Sequence, residues 1–339
     1  HSGITVEKHS NYSERHAGTV EVLGGGNFTM NDGVTLRGNV SPVAGAVLVN
    51  RGGTFNMNGG TIEDNYGAMP RYGFITNSGT KYTGYDTAYW GLPKYYYGAG
   101  AVYNLGTFNM NGGTVQNNRG EYGALANSAG GVMDLQSGTV SGNAAVQKTG
   151  AGSSYDLSIT GYTEGANPAI PTDDVSVGAG CGGGVFASGG TAAKVTLGKN
   201  LSVTGNYAAQ SGGAVAVRNA NAIVKSLTEY TAITGAYQMA TTTGSAAKVR
   251  AAQPNYEGAT TVGANGVQVT VKSGAKLSDN KADAFGGGLY AAGNGSAVTV
   301  EETVDLKNNT AHAGGGLAAL RGANVTFSNE ITENSAVFG

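Results

Sequence analysis

One thirteen-residue unit limits what this chain can fold into. Gly53-Thr-Phe-Asn-Met-Asn-Gly-Gly-Thr-Ile-Glu-Asp-Asn65 returns almost letter for letter as Gly106-Thr-Phe-Asn-Met-Asn-Gly-Gly-Thr-Val-Gln-Asn-Asn118. A weaker copy ends at Asn143, and an earlier one, with one extra residue, ends at Asn39. Thr54 to Asn58 alternate polar and apolar, the period of a strand with one buried face. Gly59-Gly60 turns the chain, and Thr61-Ile62 opens a second short strand that Asn65 closes. Stacking the copies puts Phe28, Phe55, Phe108 and Met133 in one inward file. Met30, Met57, Met110 and Leu135 form the next file, and Leu36, Ile62, Val115 and Val140 a third. Asn39, Asn65, Asn118 and Asn143 form a file of amides at a turn. Such amides bond to one another when strands lie about 4.8 Å apart.

A second signal precedes each unit, a Gly-rich turn running into a short apolar strand. Examples are Gly45-Ala-Val-Leu-Val49, Gly182-Gly-Gly-Val-Phe186 and Gly286-Gly-Gly-Leu-Tyr290. One period therefore holds about three short strands, and Asn118 to Asn143 spans 25 residues. A repeat of that length is one coil of a parallel β-helix. The right-handed form is expected from the general preference of crossovers. The expected fold is all-β, a right-handed parallel β-helix solenoid of about nine coils, in one domain over 1–339. Three insertions are expected, at about 66–97, 144–177 and 236–265.

Val304-Asp-Leu-Lys-Asn-Asn-Thr-Ala-His-Ala-Gly-Gly-Gly-Leu317 resembles the repeat of polymorphic outer-membrane proteins, which joins an apolar-x-x-Asn strand end to a Gly-Gly-apolar strand. Val325-Thr-Phe-Ser-Asn329 and Leu201-Ser-Val-Thr-Gly-Asn206 fit the same pattern. The early copies depart from it, being richer in Asn and lacking the triple Gly. The resemblance implies a β-helical passenger or stalk of a bacterial surface protein, often an adhesin, and hence an extracellular place on the cell surface.

Only 12% of the residues are charged and the net charge is −2, so no basic face suits a nucleic acid. No run is apolar enough to span a membrane, so no membrane insertion of this stretch is expected. The chain stops at Asn334-Ser-Ala-Val-Phe-Gly339, where the next Gly-Gly turn is due, which reads as a fragment of a longer surface protein. A monomer is expected. The single cysteine, Cys181, excludes an intrachain disulfide and reads as a small buried residue. His1, His9 and His16 read as solvated, so no metal and no cofactor is expected.

The aromatic density of the first insertion is the main functional signal. It carries Tyr82, Tyr85, Tyr89, Trp90, Tyr95, Tyr96 and Tyr97, with the only Trp of the chain. Tyr and Trp give rigid contact area with a polar tip, which suits protein surfaces and sugar faces alike. The rings can equally pack on one another. The second insertion adds Tyr155, Tyr162 and the pair Asp173-Asp174, and it interrupts the same corner two coils on. Loop bases about 10 Å apart can then form one surface, given the spacing per coil.

The leading reading is a binding module of a bacterial adhesin that recognises a host protein or glycan through these residues. The alternative is a carbohydrate-active β-helix, a glycosidase or polysaccharide lyase, with Asp134, Asp173 and Asp174 as candidate carboxylates. Glycosidases need two carboxyls about 5–10 Å apart. Asp134 stands outward beside the Asn56 and Asn109 file with no acidic partner. Asp279 with Asp283, and Glu301-Glu302 with Asp305, read as solvated turns, and His312 as a coil-corner residue. A passive stalk is the third reading.

Overall fold

The computed structural model describes residues 4–7, 18–41, 43–67, 98–128, 130–146, 180–188, 193–218, 266–293, 295–320 and 322–338, with strand backbone at 74–75, 81–82 and 155–156. The described residues hold no helix. Their strands form three large parallel sheets, two of eight strands and one of thirteen. The fold is a parallel β-helix.

Each coil visits the sheets in one order. A first-sheet strand such as Val102–Asn104 leads to two second-sheet strands, Thr107–Met110 and Thr114–Gln116, and then to a short third-sheet strand, Arg119–Gly120. Eight strands in the first and third sheets count eight coils. Thr5–Glu7, paired with Thr35–Arg37, adds one strand of a ninth.

The repeat dictates the register. Phe28, Phe55, Phe108 and Met133 face one another across successive strands, and the three phenyl rings stack at centroid distances of 5.1 and 4.9 Å. The Met30 and Leu36 files align in the same way. Full burial of side chains of this size contributes about 1.5–3 kcal/mol each.

Between the second and third sheets the chain turns through two residues. The first lies in the left-handed region, at φ 53° for Asp64, 55° for Asn117 and 60° for Asp279. Asp and Asn tolerate that conformation better than most residues. The second is the ladder Asn. From Asn39 through Asn65, Asn118, Asn143, Asn206, Asn280 and Asn309 to Asn334, each backbone N–H and each Nδ2 donates to the next Oδ1 at 2.9–3.1 Å. The ladder satisfies polar groups that burial would otherwise leave costly.

The corner from third to first sheet is Gly-rich for a steric reason. A Cβ at Gly213 would lie 2.4 Å from the carbonyl oxygen of Gly287, and one at Gly287 2.3 Å from that of Thr310. Successive corners stack with backbone against backbone, which leaves no room for alanine.

The excursions differ in extent from the sequence-based bounds. Tyr66–Gly67 is a third-sheet rung paired with Arg119–Gly120, so the first excursion begins after Gly67. Ala144–Ala145 is also a rung, paired with Tyr207–Ala208, so the second begins later than residue 144. Val215–Arg218 and Gln268–Val271 are successive strands of one coil, each paired on both sides. The third excursion therefore starts directly after Arg218, and 222–234 supplies no rung among the described residues. The first two leave at the third-to-first corner and the third at the first-to-second corner. The excursions thus depart at both edges of the first sheet.

The first sheet also departs from the single core expected of a solenoid. In its outward file Leu48, Ala126, Phe186, Ala216 and Tyr290 are buried and Tyr103 and Ala318 half-buried, and Phe186 stacks on Tyr122 at 4.2 Å. A second apolar layer, which includes Ala99 and Cys181, lies outside this sheet.

Candidate functional site

The expected ligand-binding residues divide by location. Tyr82 belongs to a strand, Lys81–Tyr82, and Tyr155 to another, Tyr155–Asp156. Tyr85, Tyr89, Trp90, Tyr95, Tyr96, Tyr97 and Tyr162 lie outside the described residues, as do Asp173 and Asp174.

The backbone joins the two excursions. Phe74–Ile75 pairs antiparallel with Lys81–Tyr82, and on its other edge parallel with Tyr155–Asp156. A three-stranded sheet is thus built from the first excursion and the second. Both excursions leave the same corner two coils apart, a separation of about 10 Å at the usual strand spacing. Main-chain bonds across that gap tie them into one unit.

The alternative carboxylate, Asp134, stands on the outer face of the second sheet. Its neighbours in register are Asn109 and Thr196, and its carboxylate accepts from Gln136 Nε2. No second acid stands beside it on either neighbouring rung. The outer face is occupied with its own ladder bonds, Asn109 to Asn56 and Asn56 to Asn27. Glu63 accepts from Gln116 one coil on. Burial and the adjoining Glu63 hold the Asp64 carboxyl above its usual range, and Arg119 and Arg37 pull it part of the way back.

Arg119 is the largest fully buried side chain among the described residues. It lies on the rung between Tyr66 and Ala144, from which the two excursions depart. Its Nη1 donates to the carbonyl oxygens of Asn118 and Gly142. Burial lowers its affinity for a proton, and the neighbouring Tyr66 and Asp64 oppose that. Through Gly142 it ties its own coil to the next. Cys181 is buried, and burial pushes its thiol up. It is the small interior residue expected.

Two expectations are corrected here. Asp283 does not solvate a turn: it is 8% exposed, and its Oδ2 accepts from the Tyr207 hydroxyl at 2.5 Å. His312 does not occupy a corner: it lies in the strand Thr310–Ala313 on the next rung. Tyr207 and Asp283 are 76 residues apart in sequence, so only the coil register brings them together. No sequence signal singles them out, since the positions matching Tyr207 also hold Tyr66 and Arg119, and Glu121 stands two residues on from Arg119.

Among the described residues no group of three or more His, Cys, Asp or Glu side chains is placed to hold a metal ion. No described helix is long and apolar enough to cross a membrane. No family model, no curated protein and no solved structure matches the chain.

Proposed function

We propose that this chain is a binding module of a bacterial cell-surface adhesin, acting outside the cell as a monomer, that recognises a host protein or glycan through its aromatic-rich first excursion together with the second. The observation that carries this reading is the pairing of Phe74–Ile75 with Tyr155–Asp156, which links the two excursions at one corner. Loops held on a rigid scaffold are where binding is usually carried. A solenoid supplies that rigidity, since every coil is bonded to both neighbours. The resemblance of the later coils to polymorphic-outer-membrane-protein repeats supports the surface setting. Recognition here needs no chemistry: Tyr and Trp rings give contact area and a polar tip.

The test is retention of the purified chain on host glycoproteins, mucins, immunoglobulins and plant polysaccharides, read together with released reducing sugar. Retention without release is expected. Trp90→Ala combined with Tyr95→Ala, Tyr96→Ala and Tyr97→Ala is expected to abolish retention and leave the melting temperature nearly unchanged. Released sugar would replace this reading with a carbohydrate-active enzyme and direct attention to Asp134, Asp173 and Asp174. A large loss of stability with retention intact would make the rings packing residues of a stalk.

A further inference from the structure

We infer that Asn111 is a site of self-modification. There the folded chain converts its own side-chain amide to aspartate or isoaspartate, with water as the only co-reactant, and it does so ahead of the matching Asn58.

The chemistry belongs to the Asn-Gly pair. The backbone nitrogen of Gly112 gives its proton to solvent and bonds to Cγ of Asn111. The Cγ–Nδ2 bond breaks, and the nitrogen takes a proton from solvent and leaves as ammonia. The five-membered succinimide then adds one water. Opening at one carbonyl leaves aspartate, and opening at the other leaves isoaspartate, with one more methylene in the main chain. Nothing is oxidised or reduced. Glycine in second place lets the nitrogen approach, because it carries no Cβ. The inner ladder lacks both conditions. Asn65, Asn118, Asn143, Asn206, Asn280 and Asn309 are buried, and each is followed by a residue larger than glycine.

The repeat supplies its own control. Gly-Thr-Phe-Asn-Met-Asn-Gly-Gly-Thr runs over 53–61 and again over 106–114. The local sequence therefore gives Asn58 and Asn111 one reactivity, and only the fold can part them. Both side chains are exposed, at the bend that joins the two second-sheet strands of each coil.

The fold does part them. Asn58 Nδ2 donates to Asn31 Oδ1 at 3.1 Å, and Asn111 Nδ2 donates to Asn58 Oδ1 at 3.0 Å. Asn58 is thus held through both its amide atoms. Asn111 is held through one. On the next coil Gln136 follows Leu135 as Asn111 follows Met110, and Gln136 Nε2 donates to Asp134 instead. Among the described residues nothing donates to Asn111 Oδ1. The glycines differ too. The Asp32 carboxylate lies against the Cα of the buried Gly59, and its charge opposes loss of the neighbouring N–H proton. Gly112 is half-buried, and its corresponding side meets only the backbone of Asn58. Conversion of Asn111 also removes the donor that holds Asn58 Oδ1, so the second site loosens once the first has reacted.

The test is to age the full chain folded and, in parallel, in guanidinium chloride. Trypsin separates the two sites, in 52–71 and 95–119. Mass spectrometry reads the loss of each amide, and enzymatic methylation reads isoaspartate. In denaturant the two amides should disappear at one rate. In the folded chain Asn111 should be lost about fivefold faster than Asn58, the effect of one hydrogen bond on a barrier. Asn111→Ala, which removes the donor to Asn58, and Asp32→Ser, which removes the charge beside Gly59, should each speed the loss of Asn58. The inference is overturned if folded Asn111 keeps its amide while the denatured chain loses it, or if folded Asn58 reacts as fast as Asn111. It is equally overturned if neither substitution, in a variant melting like the parent, speeds Asn58.

Discussion

The outer faces of the first and second sheets belong to the same coils and could hardly differ more. On the second sheet the outward file runs Thr29, Asn56, Asn109, Asp134, Thr196, Thr270, Thr299, Thr326, and none of these is buried. On the first sheet the outward file holds Leu48, Phe186 and Tyr290, and all three are buried. One face obeys the rule of alternation, apolar inward and polar outward. The other is buried on both sides, as parallel sheets often are. The excursions depart at the edges of the first sheet, and its strands carry a second apolar layer. The third sheet lies between the two: its outward file is buried at Val40, Tyr66, Arg119 and Ala144 and reaches solvent from Tyr207 onward.

Four substitutions break or sharpen this contrast. Phe186→Ala should cost about 3–5 kcal/mol in denaturant unfolding, the range for a buried aromatic. The Cys181 thiol in the same layer, now unreactive because burial raises it, should become open to alkylation at pH 8. A cost below about 1 kcal/mol would mean that the outer layer is not part of the folded core. Asn206→Ala follows, at about 3 kcal/mol. It leaves the N–H and Nδ2 of Asn143 without their acceptor and takes the Nδ2 donor from Asn280 Oδ1 and from the Val140 carbonyl, while the backbone N–H at 206 still reaches Asn280 Oδ1.

Asp64 marks the edge of the second sheet and reports through pH. Its folded carboxyl sits above the unfolded value, so the folded chain binds the proton more tightly. That contribution is full at pH below the unfolded value and is lost as pH rises through the folded one. Asn117 holds the same left-handed position one coil on, so Asp64→Asn fits the turn. The variant should gain on the parent between pH 4 and pH 7; an equal difference at both would remove burial as the cause. The smallest effect is expected of Thr270→Ala on the exposed second-sheet face, within about 0.5 kcal/mol. A cost comparable to Phe186→Ala would erase the distinction between the faces.

Much of the scaffold was legible because each determinant repeats. Phe55 and Phe108, Met57 and Met110, and Asn65 and Asn118 occupy identical places in identical words, and parallel stacking turns sequence identity into contact. The outer layer of the first sheet was not legible. Ala-Val-Leu-Val is apolar throughout, and a continuous apolar run does not say that both faces are covered. The expected starts of the first two excursions fall a rung early, because Tyr66 and Ala144 carry no motif of their own, and the expected start of the third falls well after the end of the Val215–Arg218 strand. Asp283 reads with Asp279 as a solvated turn, and its partner Tyr207 carries no signal of its own. Their meeting depends on a register that skips the whole third excursion.

The in-register stacking of coils also fixes how the molecule yields to force. Apart from the strand pairing that joins the first two excursions, each coil bonds only to the one before and the one after, so tension on the chain ends concentrates on the terminal coil and spares the interior. Coils should peel away one at a time, each uninterrupted 25-residue turn releasing about 85 Å of chain at full extension. A coil that carries an excursion would pay out a longer length in a single step. A tether built this way lengthens in increments under shear while the coils behind it stay folded.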